Sequence, residues 1–535
     1  MFNSSYDKEN RQYVIGGAVI LLVVIFIARL FYLQVVESDY KAWADSNAFL
    51  KKTLYPSRGM MYDRNGKLLV YNQPAYDVML IMREIQPFDT TDLCNILGIT
   101  KVQFVKRMTD IKNPRMNPGY SSYVPQVFMN QLSAQEYGVL QEKLYKFPGF
   151  YIQNRTIRQY QYPYAAHVLG NIGEVNQRDI QKDPYYVQGD YSGRTGVEKF
   201  YEEILRGEKG VEILLRDAHG RIKGRYEEGK HDVVPQSGKN LTLAIDMDLQ
   251  AYGEKLMQNK LGGIVVIEPE TGEILAMVSA PTFDPSMLVG RMRGKNHQLL
   301  EKDPNKPLFD RPIMAYYPPG STFKIVTGSA ALETGKVTPQ EMIFDSGKHW
   351  LIPMGNSEGE ALGWINFHKA LAASDNVYFY EMGNRVGIDV LKKYAALFGF
   401  GKTTGIDLFG ETEGIIASPE YKMKVFNEDW YLGDTFNAAI GQGFNLATPI
   451  QLAVMLSAVA NNGDIYRPHL VEKIVNDDGS VVKEIKPEKI GHLPVSAETL
   501  ELLQSALKAV AQEGGTAAQL ANLSVPVAGK TGTAE

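Results

Sequence analysis

Pro318-Pro319-Gly320-Ser321-Thr322-Phe323-Lys324 leads from two ring-stiffened residues and a glycine into Phe323 to Leu332, where the apolar spacing is helical. The prolines and glycine mark a turn, and the chain leaving it is expected to enter a helix. Ser321 and Lys324 then share one face and one turn. A serine hydroxyl is a poor nucleophile until a base takes its proton, and a lysine serves as base only when neutral at working pH. Burial at the mouth of an apolar helix, or a neighbouring cation, favours that neutral form. Spacing alone decides little, because Ser5/Lys8 and Ser505/Lys508 match it too. Such a pair is more often a helix cap and a solvated charge.

Two further strings change that balance. Ser374-Asp375-Asn376 stands before the aromatic run Val377-Tyr378-Phe379-Tyr380 and offers a second hydroxyl and a carboxamide. Lys530-Thr531-Gly532-Thr533 follows the extended run Val525-Pro526-Val527-Ala528, so a cation and hydroxyls are expected to project from a strand. Gly532 would let a substrate backbone lie close. The order Ser-x-x-Lys, Ser-x-Asn, Lys-Thr-Gly resembles the set of penicillin-binding proteins and class A β-lactamases. A phosphate-binding loop ending at Gly529-Lys530-Thr531 is excluded, since Ser524 stands where that loop requires glycine. His349 and His368 are isolated, and a lone histidine is far more often structural than a metal ligand.

At 535 residues the chain is expected to form two or three domains. An apolar share of 44% and a charged share of 22% exclude both wholesale disorder and a polytopic membrane protein. A formal charge of -5 lacks the concentrated cations that nucleic acid requires, so no such partner is expected. Cys94, the only cysteine, rules out an intrachain disulfide and reads as a small buried apolar residue.

Tyr13 to Ala28 carry no charge, and beyond Arg29 the apolar pattern resumes through Leu33. Residues 13–33 therefore read as a membrane anchor, with Arg29 reaching the headgroups of the lipid bilayer. A cleaved signal peptide is the rival reading, opposed by how far Ala42-Trp43-Ala44 lies beyond the apolar run. Lys8 and Arg11 place residues 1–12 inside and the bulk of the chain outside the cytoplasm.

Residues 34–232, rich in Tyr, Gln, Asn and charge, read as an irregular α+β pedestal with helices near Ser133 to Lys146 and Gly196 to Leu205. Asp232 to Lys239 has linker chemistry. From 240 to 535 the pattern changes. A helix is expected from Met247 to Gln258, then a hairpin of Gly263 to Glu268 and Glu273 to Ser279. Helices follow at Phe323 to Leu332, Asn366 to Asn384 and Pro449 to Ala460, the last capped by Thr448. A layered α+β domain with an antiparallel sheet accounts for this order.

The likeness extends beyond the three motifs. Arg29-Leu30 with Leu33-Gln34-Val35, Arg58-Gly-Met-Met-Tyr-Asp-Arg-Asn-Gly66, His167 to Gly170, Gly193-Arg-Thr-Gly-Val-Glu198-Lys-Phe-Tyr201 and Leu205-Arg-Gly207 resemble pedestal signatures of class B penicillin-binding proteins. Phe398 to Leu408, Ile440-Gly-Gln-Gly443 and Thr448-Pro-Ile-Gln451 resemble the elongation-type members. The resemblance implies one anchor, a non-catalytic pedestal, and an α+β transpeptidase domain of the serine β-lactamase-like fold. Its chemistry would be cross-linking of peptidoglycan stem peptides and covalent capture of β-lactams. By resemblance Ser321 is the nucleophile, Lys324 the base, Ser374 a proton relay, and Asn376 a holder of the acyl amide. Lys530, Thr531, Gly532 and Thr533 would receive the substrate carboxylate, with the N–H groups of Ser321 and Thr533 as oxyanion hole. The implied partner is a membrane glycan polymerase of the shape-elongation-division-sporulation family, met through the anchor and membrane-proximal region.

Two departures stand out. Asp375 occupies a place where some elongation-type members carry a metal-site cysteine, so no zinc and no cofactor is expected. Glu535 follows Lys-Thr-Gly-Thr-Ala directly, whereas the family adds two strands and a helix; the expectation is a fragment that acylates poorly or not at all. Three rivals are weighed. A β-lactamase would need a Glu-x-x-Leu-Asn segment absent between Ser374 and Lys530. A β-lactam sensor would need further membrane passes, and a silent wall-synthesis scaffold remains open.

Overall fold

The computed structural model describes residues 6–32, 49–117, 120–216 and 222–534. Leu33-Gln34-Val35, Ala42-Trp43-Ala44 and Glu535 lie outside them. Helix Tyr6–Phe31 contains the apolar span Tyr13–Phe31, whose 19 residues reach across a bilayer's hydrocarbon core. Nearly all of that span's side chains are exposed.

One long strand organises the pedestal. Leu68–Leu80 pairs antiparallel along its length with Phe150–Tyr160, and also with Met61–Tyr62 and Gln126–Leu132. Ser133 caps helix Ala134–Lys143 in a reciprocal box with Glu136, and Leu144–Lys146 tightens to a 3-10 turn. Cys94 is buried in helix Thr90–Leu97, as its apolar neighbours led one to expect. Two of the resemblance strings meet here: Arg58 Nε donates to Glu198 Oε2 at 2.7 Å, and Arg158 Nε to Glu198 Oε1 at 2.6 Å.

Asp232 to Lys239 is not the free tether its composition suggests. Val233 and Gln236 pair with Val211 and Glu208, and the Gly238 and Lys239 amides donate to Ser57 O and Ile204 O, each at 2.9 Å. The close approach needs glycine, since a Cβ on Gly238 would stand 1.9 Å from Leu205 O. Asn240–Leu243 then runs parallel to Met61–Tyr62 and antiparallel to Val471–Val475. Both parts of the chain thus contribute to one seven-stranded sheet.

The expected hairpin forms from Gly262–Ile267 and Ile274–Ala280. Helix Met247–Leu256 packs on its second strand, and Pro449–Ala460, capped by Thr448, packs on its first. At the centre of the helical core, Lys324–Glu333 is buried at every position from Lys324 to Ala331. A helix enclosed all round needs apolar residues on every face. Ile325, Val326, Ala330 and Ala331 meet that need, and Gly328 lets Phe367 approach: a Cβ there would stand 2.6 Å from the ring.

Candidate active site

Ser321 does not sit in the α-helix the spacing implies. It lies in the 3-10 turn Gly320–Phe323, and the α-helix begins at Lys324. Three residues per turn place positions i and i+3 directly one above the other, so Ser321 and Lys324 keep a common face. Gly320 has φ of +55°, and its N–H donates to Gly441 O at 2.9 Å. A Cβ at Gly320 would stand 2.4 Å from Thr533 O, so the Lys-Thr-Gly-Thr segment lies against this turn.

The single helix expected from Asn366 to Asn384 is broken in two, Phe367–Ala373 and Asn376–Val386. Ser374 adopts the left-handed conformation at φ +60°, which costs a residue other than glycine about 1 kcal/mol. The Asp375 carboxylate caps the next helix, accepting from Tyr378 N at 2.6 Å. Apolar periodicity continues across such a break, which is why spacing alone misses it. The break turns the Ser374 carbonyl and hydroxyl toward Lys324.

Lys324 is 0% exposed, and its Nζ donates to Ser374 O at 2.6 Å and to Asn376 Oδ1 at 2.7 Å, with Ser374 Oγ at 3.3 Å. Burial, reinforced by the Lys530 cation and opposed by Asp375, holds the Lys324 ammonium well below the usual lysine range. A neutral amine has two N–H groups and one lone pair. Its two short contacts use the N–H groups and leave the lone pair for a hydroxyl proton. Among the described residues no hydrogen bond joins Ser321 Oγ to Lys324, and Ser321 is half-buried.

Lys530 Nζ donates to Ser374 Oγ at 2.8 Å and to Thr531 O at 3.1 Å. Burial pushes its pKa down to about 8. The strand expected for this segment is not formed, because among the described residues no chain pairs with it. Instead Gly529 N donates to Leu507 O at 3.0 Å, and the Thr531 and Thr516 hydroxyls meet at 2.8 Å. Gly532 and Thr533 are exposed beside Pro319 and Gly320. Of the eight site residues named from sequence, Ser374 and Asn376 thus contact Lys324, Lys530 joins them through Ser374, Gly532 and Thr533 lie against the turn that carries Ser321, and the Thr531 hydroxyl faces Thr516 instead.

Sequence reasoning missed Asn356, Asp345, Thr516 and Gly441. Asn356 Nδ2 bridges the buried carboxylates of Asp345, at 2.9 Å, and Asp375, at 2.8 Å. Nothing in a Gly-Asn-Ser loop signals that role. Among the described residues no three His, Cys, Asp or Glu side chains converge. An N–H donor between the two carboxylates repels a cation, so the residues present do not fit a metal.

Comparison with known proteins places this geometry. The penicillin binding protein transpeptidase domain model matches residues 262–535, and the penicillin-binding protein dimerisation domain model matches residues 53–243. Peptidoglycan D,D-transpeptidase MrdA of Acinetobacter baumannii is 33% identical, over 98% of this chain and 78% of that protein. The penicillin-binding protein PBP2 of Helicobacter pylori, solved in complex with MreC, is 29% identical at a TM-score of 0.77, covering 91% of this chain and 90% of its own. A structure described as structural coordination of polymerization and crosslinking by a peptidoglycan synthase complex aligns over 98% of this chain and 89% of its own, at 27% identity and a TM-score of 0.68. With its motifs folded around one buried lysine, this chain belongs to the penicillin-binding protein transpeptidases.

Proposed function

We propose that the protein is a peptidoglycan D,D-transpeptidase in which Ser321 forms the acyl-enzyme. Ser321 Oγ attacks the carbonyl between two D-alanines of a stem peptide while its proton passes to Lys324 Nζ. The tetrahedral intermediate collapses as the C–N bond breaks, and Ser374 hands a proton to the departing D-alanine nitrogen. An amine of a neighbouring stem peptide then attacks the ester, forming the cross-link and returning the serine. Ser374 suits a relay because it lies between two lysines, at 2.8 Å from Lys530 Nζ and 3.3 Å from Lys324 Nζ.

Asn376 holds the acyl chain's amide, and Lys530, Thr531, Gly532 and Thr533 receive the substrate carboxylate. The N–H groups of Ser321 and Thr533 form the oxyanion hole, where fixed donors stabilise charge that develops in the transition state. In a β-lactam the broken C–N bond belongs to a ring, so the leaving nitrogen stays tethered and the ester persists. The chain is anchored by Tyr13–Phe31 with its N-terminus inside. The partner at the anchor and membrane-proximal pedestal is a membrane glycan polymerase of the shape-elongation-division-sporulation family, a kind of partnership supported by the relative solved within a peptidoglycan synthase complex.

One observation carries this reading: a fully buried lysine on the helix next to the serine, held well below the usual lysine range and bonded to Ser374 and Asn376 of the middle motif. Intact-mass spectrometry after exposure to ampicillin, on the chain extended by the two strands and helix that the family adds, is expected to find one drug equivalent, mapped to the Ser321 peptide and absent from Ser321→Ala. An adduct elsewhere, or none in the unmutated chain, ends the assignment.

A further inference from the structure

Asn356 bonds to the Ser374–Asn376 turn with both ends of its carboxamide. Its Oδ1 accepts from Asn376 N at 2.7 Å and Val377 N at 3.2 Å, two first-turn amides that no helical carbonyl serves. Its Nδ2 donates to Asp375 Oδ2 at 2.8 Å, Asp345 Oδ2 at 2.9 Å and Glu360 O at 2.9 Å. Asp345 and Asp375 are only 1% and 2% exposed. Asp345 in turn ties down the loop, accepting from Gly347 N and Leu362 N, each at 2.7 Å. The loop's own Gly355 O accepts from Asn376 Nδ2 at 3.3 Å, which leaves Asn376 Oδ1 aimed at Lys324.

Only a carboxamide meets all these demands. Aspartate accepts but does not donate when ionised, and alanine does neither. We propose that Asn356 is a positioning residue for acyl transfer, clamping through Asp345 and Asp375 the turn that presents Ser374 and Asn376 to Lys324. The inference rests on Ser321 and Lys324 acting as assigned above. The charged groups facing the clamp are Asp345 and Asp375 and, across the turn, Lys324 and Lys530. Burial and the Asp345 carboxylate push Asp375 up to about 6, which the Tyr378 amide and Asn356 oppose, so the amide's N–H groups also decide how much charge the pair holds.

The test uses the chain extended in the same way, in detergent, unmutated and as Asn356→Ala and Asn356→Asp. Labelling rates with a fluorescent penicillin are measured from pH 5.5 to 8.5, and amide hydrogen exchange is followed across residues 374–378. Asn356→Ala is expected to label about 100-fold more slowly at every pH, the scale of a small misplacement of reacting groups. Exchange should quicken at Asn376 and Val377 but not at Tyr378, whose amide Asp375 holds. Asn356→Asp should match the alanine variant at pH 8, where three carboxylates crowd together. Toward pH 5.5 it should recover about tenfold relative to the unmutated chain, as one carboxyl takes a proton and can donate again.

Equal rates in the unmutated and alanine chains overturn the proposal. So does a deficit of Asn356→Asp that keeps one ratio across the pH range, the signature of a packing defect alone. Absence of labelling in the unmutated chain defeats the nucleophile assignment instead; unchanged exchange at Asn376 and Val377 would then defeat the clamp separately.

Discussion

In the pedestal, Arg58 and Arg158 meet Glu198 and Glu202, two cations against two carboxylates; at the active site, Lys324 and Lys530 donate to neutral oxygens, and among the described residues the Asp375 carboxylate acts on Lys324 only through its charge. Both clusters are buried, yet only the pedestal one holds a cation above its usual range, although Arg158 beside it is lowered by burial and by the Arg58 charge. Despite its burial, Arg58 is held above the usual arginine range by Glu198 and Glu202, and burial notwithstanding, Glu202 is held below the carboxylate range by Arg58. Lys324 and Lys530 are both depressed, burial being the first cause for each. A balanced cluster fixes charge in place, and such a set can only hold structure. An unbalanced one discards protons, which is what a base requires. The Asn72 carboxamide, the Tyr186 hydroxyl and the Gly193 amide complete the pedestal set at 3.0, 2.8 and 2.7 Å.

If that contrast is right, removing one member from each cluster should damage different things. Lys324→Met is expected to slow penicillin acylation about 1,000-fold, within the range lost with a general base. Its melting temperature should hardly move, because the loss is limited to two neutral hydrogen bonds of about 1 kcal/mol each. Stopped labelling together with a collapsed melting curve would break the comparison.

Glu198→Gln should reverse the pattern. It leaves the Arg158 side chain, 1% exposed, without its carboxylate and weakens Arg58 as well. Orphaning one side of a buried pair costs about 3 kcal/mol or more. Thermal unfolding followed by circular dichroism should show an earlier transition, while the fraction still folded at low temperature labels within about twofold of the unmutated rate. A large loss of labelling at low temperature would mean that the pedestal cluster also shapes the active site.

How much of this was legible beforehand follows from what sequence periodicity encodes. The hairpin, the helix near Ser133, the capped helix at Thr448 and the apolar N-terminal span all depend on local signals, and each is found. The break at Ser374 was hidden because a left-handed residue between two apolar helices leaves the spacing unchanged. The pinned segment Asp232 to Lys239 was read as a linker because turn residues look alike whether or not another chain lies beside them. Arg58 and Glu198 stand far apart in sequence, and pattern gives no sign that they pair. Asn356 was invisible for the same reason. Its partners are two carboxylates and two helix amides brought together only by folding.

Asp310 carries the comparison to its limit, as a buried carboxyl whose Oδ1 has no hydrogen-bond partner among the described residues. The residue is 9% exposed, its Oδ1 has no hydrogen-bond partner, and burial alone pushes its pKa up to about 7. For a carboxyl whose folded pKa lies above its unfolded value of 3.8, the unfolded chain gives up its proton first as pH rises. The contribution of this carboxyl to stability is therefore greatest below pH 4, declines between about 4 and 7, and is flat above. Asp310→Asn keeps the shape of the neutral acid and removes the ionisation. It should raise the melting temperature at pH 8 by an amount worth roughly 4 kcal/mol, the shift from 3.8 to about 7 at about 1.4 kcal/mol per pKa unit, and change little at pH 4. An equal gain at both pH values would show that the carboxyl was never charged in the folded chain and that the benefit came from packing. A loss at pH 8 would reveal an ion pair for Asp310, and place it with Glu198 among the balanced charges rather than beyond Lys324 among the unbalanced ones.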